Sequence, residues 1–141
     1  RKVLSEIAIH DPSAFGAVAK LAAAGSDFAS LKANLEAGIE QAEACVNFVL
    51  ETFGTQPRLP AAGSVPFLKL MGILLGGWQL ARGALIAQAK LGEDGADTDF
   101  YTAKIVTARF YGEHLLPQIS GLAVAILGGA ESVLALDEAQ F

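Results

Sequence analysis

Apolar residues recur at steps of three and four along most of the chain, and no stretch alternates apolar with polar in twos. The pattern therefore predicts helices and no half-buried strand. The clearest run spans about Asp27 to Phe53, where Phe28, Leu31, Leu35, Ile39, Ala42, Val46, Val49 and Phe53 share one face. The intervening Lys32, Asn34, Glu36, Glu40, Gln41, Glu43, Asn47 and Glu51 read as a solvated side. Before it, Asp11 as N-cap and Pro12 at the first helical position open a segment that Gly25 closes after Ala24. Residues 1–10 read as the tail of a preceding helix. After Gly54 the stretch 55–64, with Pro57, Pro60 and Gly63, reads as a loop.

A third helix is predicted from about Pro66 to Leu91, capped by Ser64 and apolar on nearly every side, which places it in the middle of a bundle. Residues 92–97 form an acidic linker. The fourth helix starts at Asp97 or Thr98 and runs to Leu116, where Pro117 breaks or kinks it by removing a backbone donor and crowding the preceding turn. Its continuation, from Gln118 to about Leu127, ends at Gly128 and Gly129, and the tail to Phe141 has room for one more short turn. The expected fold is all-α: a four-helix up-and-down bundle with a kinked last helix, in a single domain over residues 1–141.

Glycine inside a helix costs ~1 kcal/mol against alanine, so several on one helix call for a packing reason. Gly72 and Gly76 lie four apart on the third helix and are expected to let a neighbouring backbone approach closely. Trp78, beside them, reads as a core residue. Lys69, Gly72, Gly76, Gln79, Gly83 and Lys90 recur on one stripe, the least buried side of that helix.

Composition narrows the function classes. The chain is 52% apolar with only 8% aromatic residues, which suits closely packed helices. Its net charge of −5 and lack of a basic cluster exclude a phosphate-backbone partner, since affinity for nucleic acid depends on clustered Lys and Arg. The same sign of charge disfavours anionic lipid. The most apolar stretch, Leu70 to Ala81, is shorter than the ~20 residues that cross a bilayer. A lone Cys45 among apolar neighbours suits a buried thiol in a reducing compartment, and Arg1 and Lys2 lead into no signal-peptide run, so a cytoplasmic location is expected. Without an initiating Met, the chain reads as a fragment of a longer protein.

Chemistry-bearing patterns are scarce. His10 and His114 have no cysteine or carboxylate at metal-ligand spacing. No GxSxG, GxxxxGK[ST] or GxGxxG motif occurs, and Gly76 and Gly77 sit inside an apolar helix that no phosphate can approach. Arg109 and Glu113, four apart, read as a solvated helix brace worth ~0.2 to 0.5 kcal/mol. Arg82, Lys104 and Arg109 are the candidates for holding a neighbouring domain or a CoA phosphate.

The stretches VPFLKLMGILLGGWQLARGAL (Val65 to Leu85), FYTAKIVTARFYGEHLLPQ (Phe100 to Gln118) and GGAESVLALDEAQF (Gly128 to Phe141) resemble the extra C-terminal domain of a subgroup of acyl-CoA dehydrogenases. That subgroup includes the 3-methylmercaptopropionyl-CoA dehydrogenases. The distinctive elements are the glycine and tryptophan run ending in Ala81 and Arg82, the pattern Lys104, Ala108, Arg109, Phe110, and Leu116 with Pro117. Met71 and Gly83 stand where an aromatic and an alanine are expected. The resemblance implies a parent enzyme that uses FAD to remove two hydrogens from the α and β carbons of an acyl thioester. Its catalytic glutamate and flavin contacts lie in an upstream body, so no catalytic or cofactor residue is assigned here, Glu113 and Glu131 included.

The expected partners are that body, a second copy of the chain as a homo-oligomer, and acyl-CoA through the parent enzyme. The competing reading is a free-standing helical bundle that binds an apolar ligand or a partner helix, and a third is a membrane-surface anchor. On the leading reading the purified chain binds no flavin and oxidises no acyl-CoA. Absorbance at flavin wavelengths and a dye-coupled dehydrogenase assay check this, and a yellow protein with stoichiometric FAD would overturn it.

Overall fold

A computed structural model describes residues 20–21 and 28–140. All regular structure among these residues is helical, as the apolar periodicity predicts. The elements are α1 (Ala29–Thr52), α2 (Arg58–Ala62), α3 (Ser64–Lys90), α4 (Thr98–His114), α5 (Gln118–Gly128), α6 (Ala130–Val133) and a closing 3-10 turn (Glu138–Gln140). The predicted first helix, with Asp11, Pro12 and His10, lies outside the described residues except for Lys20 and Leu21, which are helical. Leu21 is buried in the core.

Three long rods, α1, α3 and the broken rod α4–α5, pack around one another. Their directions follow from named contacts. Asn34 of α1 bonds to Gly112, and Gln41, two turns on, bonds to Ser120, so α1 and α4–α5 run the same way. Tyr111 of α4 meets Ile73, whereas Gly63 before α3 lies against Ile126 of α5, so α3 runs opposite to both. The succession is up, down, up.

The last rod breaks where expected and for the expected reason. Pro117 has no N–H to give and crowds the turn before it. The N–H groups of Leu115 and Leu116 both turn to the Tyr111 carbonyl, at 3.0 and 3.1 Å, and the chain restarts at Pro117 with φ −60° and ψ −21°. α4 consequently ends at His114 rather than Leu116. The break swings Leu116 inward until it is fully buried.

Several boundaries differ from the sequence reading. The stretch read as a loop contains α2, because Pro57 holds φ −62° and ψ −20° at its N-cap and Pro60 is buried. Gly63, not Ser64, precedes α3; Ser64 is its first residue and makes no capping bond. Asp97 does cap α4, its carboxylate accepting from the Phe100 N–H at 3.0 Å. On α1 the buried stripe is Leu31, Leu35, Gly38, Ala42 and Cys45, while Phe53 is exposed. α3 is not buried all round: Leu70, Leu74, Gly77, Ala81, Ala84 and Ala87 enter the core, and Val65, Leu68, Leu75 and Ile86 stand in solvent. At 27 residues it is also long and apolar enough to cross a membrane, a correction to the shorter stretch read from sequence. Its buried face packs against the other rods.

Small residues set how closely the rods approach. A Cβ on Gly112 would lie 2.8 Å from Leu31 Cδ1 and 2.9 Å from Leu31 Cα. One on Gly77 would lie 2.6 Å from Leu116 Cδ2, and one on Gly38 would lie 2.9 Å from Ile119 Cδ1. The close approach expected at Gly72 is absent, since nothing lies within 4 Å of its Cβ position. Gly76 faces one side chain, with the Tyr111 Oη 2.5 Å from where a Cβ would sit.

These positions should respond differently to a methyl group. Gly112→Ala meets backbone that cannot step aside, and even after the helix-propensity gain of ~1 kcal/mol it should cost about 1–2 kcal/mol. Gly72→Ala meets open space and should stabilise the chain by about 0.4–1 kcal/mol through the unfolded state. Urea denaturation midpoints of the two variants should move in opposite directions. Movement the same way would mean that α1 and α4 are not in contact at Gly112.

Candidate interaction surface

The polar residues that position the rods lie on a face of α1 that the sequence pattern assigned to solvent. Asn34, Gly38, Gln41 and Cys45 follow one another at steps of four, three and four and look toward α4–α5. Asn34 Nδ2 donates to the Gly112 carbonyl at 2.9 Å, and Gln41 Nε2 donates to Ser120 Oγ at 3.0 Å. Tyr111 Oη donates to the Ile73 carbonyl at 3.1 Å, tying α4 to α3, and burial pushes its phenol pKa up. These residues escaped sequence reasoning because Asn and Gln between glutamates look like surface. The available signal was the glycine four residues after Asn34, which marks a near neighbour.

The residues singled out from sequence do not gather at one point. Trp78 is half-buried, and its buried indole N–H has no hydrogen-bond partner among the described residues. The Arg82 guanidinium stands 5.0 Å from the Trp78 ring centroid and donates to Gln79 Oε1 at 3.2 Å, which keeps the cation on the surface beside the indole. Lys104 Nζ lies 5.1 Å from the Phe100 ring centroid. Arg109 is exposed and forms no ion pair with Glu113, so the expected helix brace is absent. Both ion pairs among the described residues, Lys32–Glu36 and Lys90–Glu93, are at the surface and add little. His114 lies against Phe110, ring centroids 4.6 Å apart. Among the described residues no group of His, Cys, Asp or Glu could hold a metal ion.

An open groove of about 280 Å³ runs between α3 and α4. Leu80, Ala84 and Ala87 line it with Gln79, Gly83 and Ile86 on the α3 side and Phe100, Tyr101 and Lys104 on the α4 side. Lys104 thus reaches the groove, whereas Arg82 and Arg109 do not line it. The residues present do not fit a flavin dinucleotide: the lining is chiefly hydrocarbon and offers one cation, Lys104, for two phosphates.

Large apolar side chains left in solvent are the more prominent feature. On α3, Val65, Leu68, Gly72, Leu75, Gln79, Arg82 and Ile86 follow one another at alternating steps of three and four, and all are exposed. Val65 is 76% exposed and Leu68 74%. On α4, Phe100, Val106 and Phe110 are more than half exposed. The arrangement is that of a helical bundle with outward-facing apolar surfaces.

Comparison with known proteins places this bundle. A model of the family described as acetyl-CoA dehydrogenase C-terminal like matches residues 13–137. The chain belongs to that family. It is 40% identical over 89 residues to 3-methylmercaptopropionyl-CoA dehydrogenase of Ruegeria pomeroyi, covering 63% of this chain and 15% of that protein. It is 37% identical over 81 residues to the broad-specificity linear acyl-CoA dehydrogenase FadE5 of Mycobacterium tuberculosis, covering 56% and 13%. The match thus spans about a seventh of the length of these relatives. A 22-residue stretch is also 86% identical to the large ribosomal subunit protein bL20 of Sorangium cellulosum, 16% of this chain and 18% of that one.

The single cysteine gives a probe of the packed state. Cys45 is fully buried, and burial pushes its thiol pKa up. A raised folded pKa means that this contribution to stability is present below the unfolded value of 9.0 and is lost as pH rises through the folded one. The thiolate is the reactive form, so Ellman's reagent should modify the native chain far more slowly than a free cysteine and promptly in urea. Equal rates in the two states would show that α1 does not bury this face.

Proposed function

We propose that the chain is the C-terminal accessory domain of an FAD-dependent acyl-CoA dehydrogenase, and that it packs on the catalytic body of that enzyme through the outer face of α3. Membership of the family supports the first statement, and the exposed stripe Val65, Leu68, Gly72 and Leu75 carries the second. Contiguous apolar surface of this kind marks a face that is covered in the working assembly. Gly72, with open space at its Cβ position, leaves a shallow notch between Leu68 and Leu75 into which a partner side chain fits.

Charge points to a different partner rather than to self-pairing on this face. α3 contains Lys69, Arg82 and Lys90 and no acidic residue, in a chain whose net charge is −5. Lys90 is already paired with Glu93, and Arg82, the one cation on the stripe itself, would find no carboxylate on a second copy of the same face. An apolar patch flanked by carboxylates on another domain would supply one, and Arg82, held beside Trp78, stands ready to meet it.

On this reading FAD, held in the body, accepts the hydrogens removed from the α and β carbons of an acyl-CoA thioester. This domain contributes packing: it covers apolar surface of the body and fixes the elements beneath it. No residue of the chain is assigned to the chemistry.

Expression of the complete reading frame tests the proposal. Leu68→Glu is at an exposed position, so the isolated chain should keep its stability to within about 0.5 kcal/mol. In the full-length enzyme the same substitution should lower the melting temperature and open the C-terminal region to protease. A full-length enzyme as indifferent to the change as the isolated chain would overturn the docking face. A reading frame that encodes this chain alone would overturn the accessory-domain reading.

A further inference from the structure

We propose that the outer face of α4 is a second, separate interface, at which two copies of the chain pair through their α4 helices, parallel and in register. Phe100, Ala103, Thr107, Phe110 and His114 follow one another at steps of three, four, three and four, and every one is exposed. Phe100 is 51% exposed and Phe110 55%. The opposite side of the helix, through Tyr101, Ile105, Ala108 and Gly112, is the side that enters the bundle. Among the described residues, α4 therefore has two faces, one packed within the bundle and one left exposed. Alternating steps of three and four are the spacing at which one helix seats knobs into the holes of another.

The flanking charges choose the partner and its direction. In the register set by Phe100 and Ala103, Asp99 and Lys104 occupy the two positions that border the seam. In a parallel pair such residues meet five apart across the two strands, so Asp99 of each copy faces Lys104 of the other, twice by symmetry. An antiparallel pair sets Lys104 against Lys104 and Asp99 against Glu113, like charges in both cases. Lys104 Nζ already lies over the Phe100 ring at the edge of the seam, in place to reach across. The open groove bounded by Ile86 and Phe100 continues the apolar surface at the start of the helix, so a second copy also covers it.

The strip from Phe100 to His114 is ~21 Å long at 1.5 Å per residue. Such a strip falls short of the ~1,000 Å² that a tight interface needs, so the pair should dissociate in the micromolar range. The pairing stands independently of any docking on a catalytic body, because it uses a different helix and requires only this chain.

Light scattering after size exclusion of the 141-residue chain, from about 5 to about 500 μM, should show mass rising from monomer toward dimer. Phe110→Glu should remain monomeric over that range with an unchanged circular-dichroism spectrum, since Phe110 is exposed. Ala103→Cys and Thr107→Cys should each form an interchain disulfide on mild oxidation, with buried Cys45 inert in the parent chain. Asp99→Lys or Lys104→Asp should weaken the dimer about tenfold, and the double exchange should restore it. Monomer throughout would overturn the interface, as would a dimer that survives Phe110→Glu. Cross-linking between Ala103→Cys and Thr107→Cys in a mixture of the two, with neither variant linking to itself, would overturn the parallel register in favour of an antiparallel pair.

Discussion

The rest of the bundle depends on the approach of α1 to α4 at Gly112. The Leu31 backbone and side chain occupy the space that a Cβ at residue 112 would need, and Asn34 reaches the Gly112 carbonyl one turn later. The Gly112 carbonyl lacks its usual helical donor, because the Leu116 N–H turns to Tyr111 instead, and the Asn34 side chain takes that place. The contact thus combines a steric limit with a directional bond, and together they fix both the separation of the rods and their register. Gln41 meeting Ser120 and Gly38 meeting Ile119 fall into line beyond it, on the far side of the break.

The break at Pro117 is the complement of that contact. Because α4 ends at His114 and restarts three residues later, Leu116 is released from helical geometry and turns into the notch above Gly77 on α3. Tyr111 ties the same turn to the Ile73 carbonyl. Two glycines on different rods, one proline and one phenol therefore lock three helices with few aromatic rings. The core that results is built from Leu, Ile and Ala, with Phe28 and Cys45 among them. Close packing of small residues replaces bulk, which is why a single added methyl carries weight at some positions and none at others.

The same economy leaves apolar surface outside. A bundle whose rods touch at glycine and alanine spends its larger side chains on other faces, and α3 and α4 each present a regular outward stripe. The two stripes differ in charge. The stripe on α3 includes Arg82 and no acidic residue, and suits a partner that brings carboxylates. The stripe on α4 carries Asp99 and Lys104 in self-complementary positions. A small domain with two such faces suits the connector proposed above, with a larger body on one side and its own copy on the other.

Helical class, a cap at Asp97 or Thr98, the break at Pro117 and the family were all legible along the chain. These rest on local properties: apolar periodicity, a carboxylate able to accept a nearby backbone N–H, a ring that removes a donor, and motifs that lie within single helices. The sequence also marked Gly72 and Gly76 on α3 as packing residues; Gly76 does meet Tyr111, but Gly72 faces open space, and Gly38 and Gly112, which are filled by neighbours, were passed over. Periodicity reports that a glycine shares a face with apolar residues, and it does not report which face another rod will cover. Asn34 and Gln41 were assigned to solvent for the same reason. The all-round apolar character of α3 suggested full burial, whereas the rods around it leave one side open because small residues let them crowd onto the other. These points were settled by packing, since each depends on which two distant segments come within a few ångströms of each other.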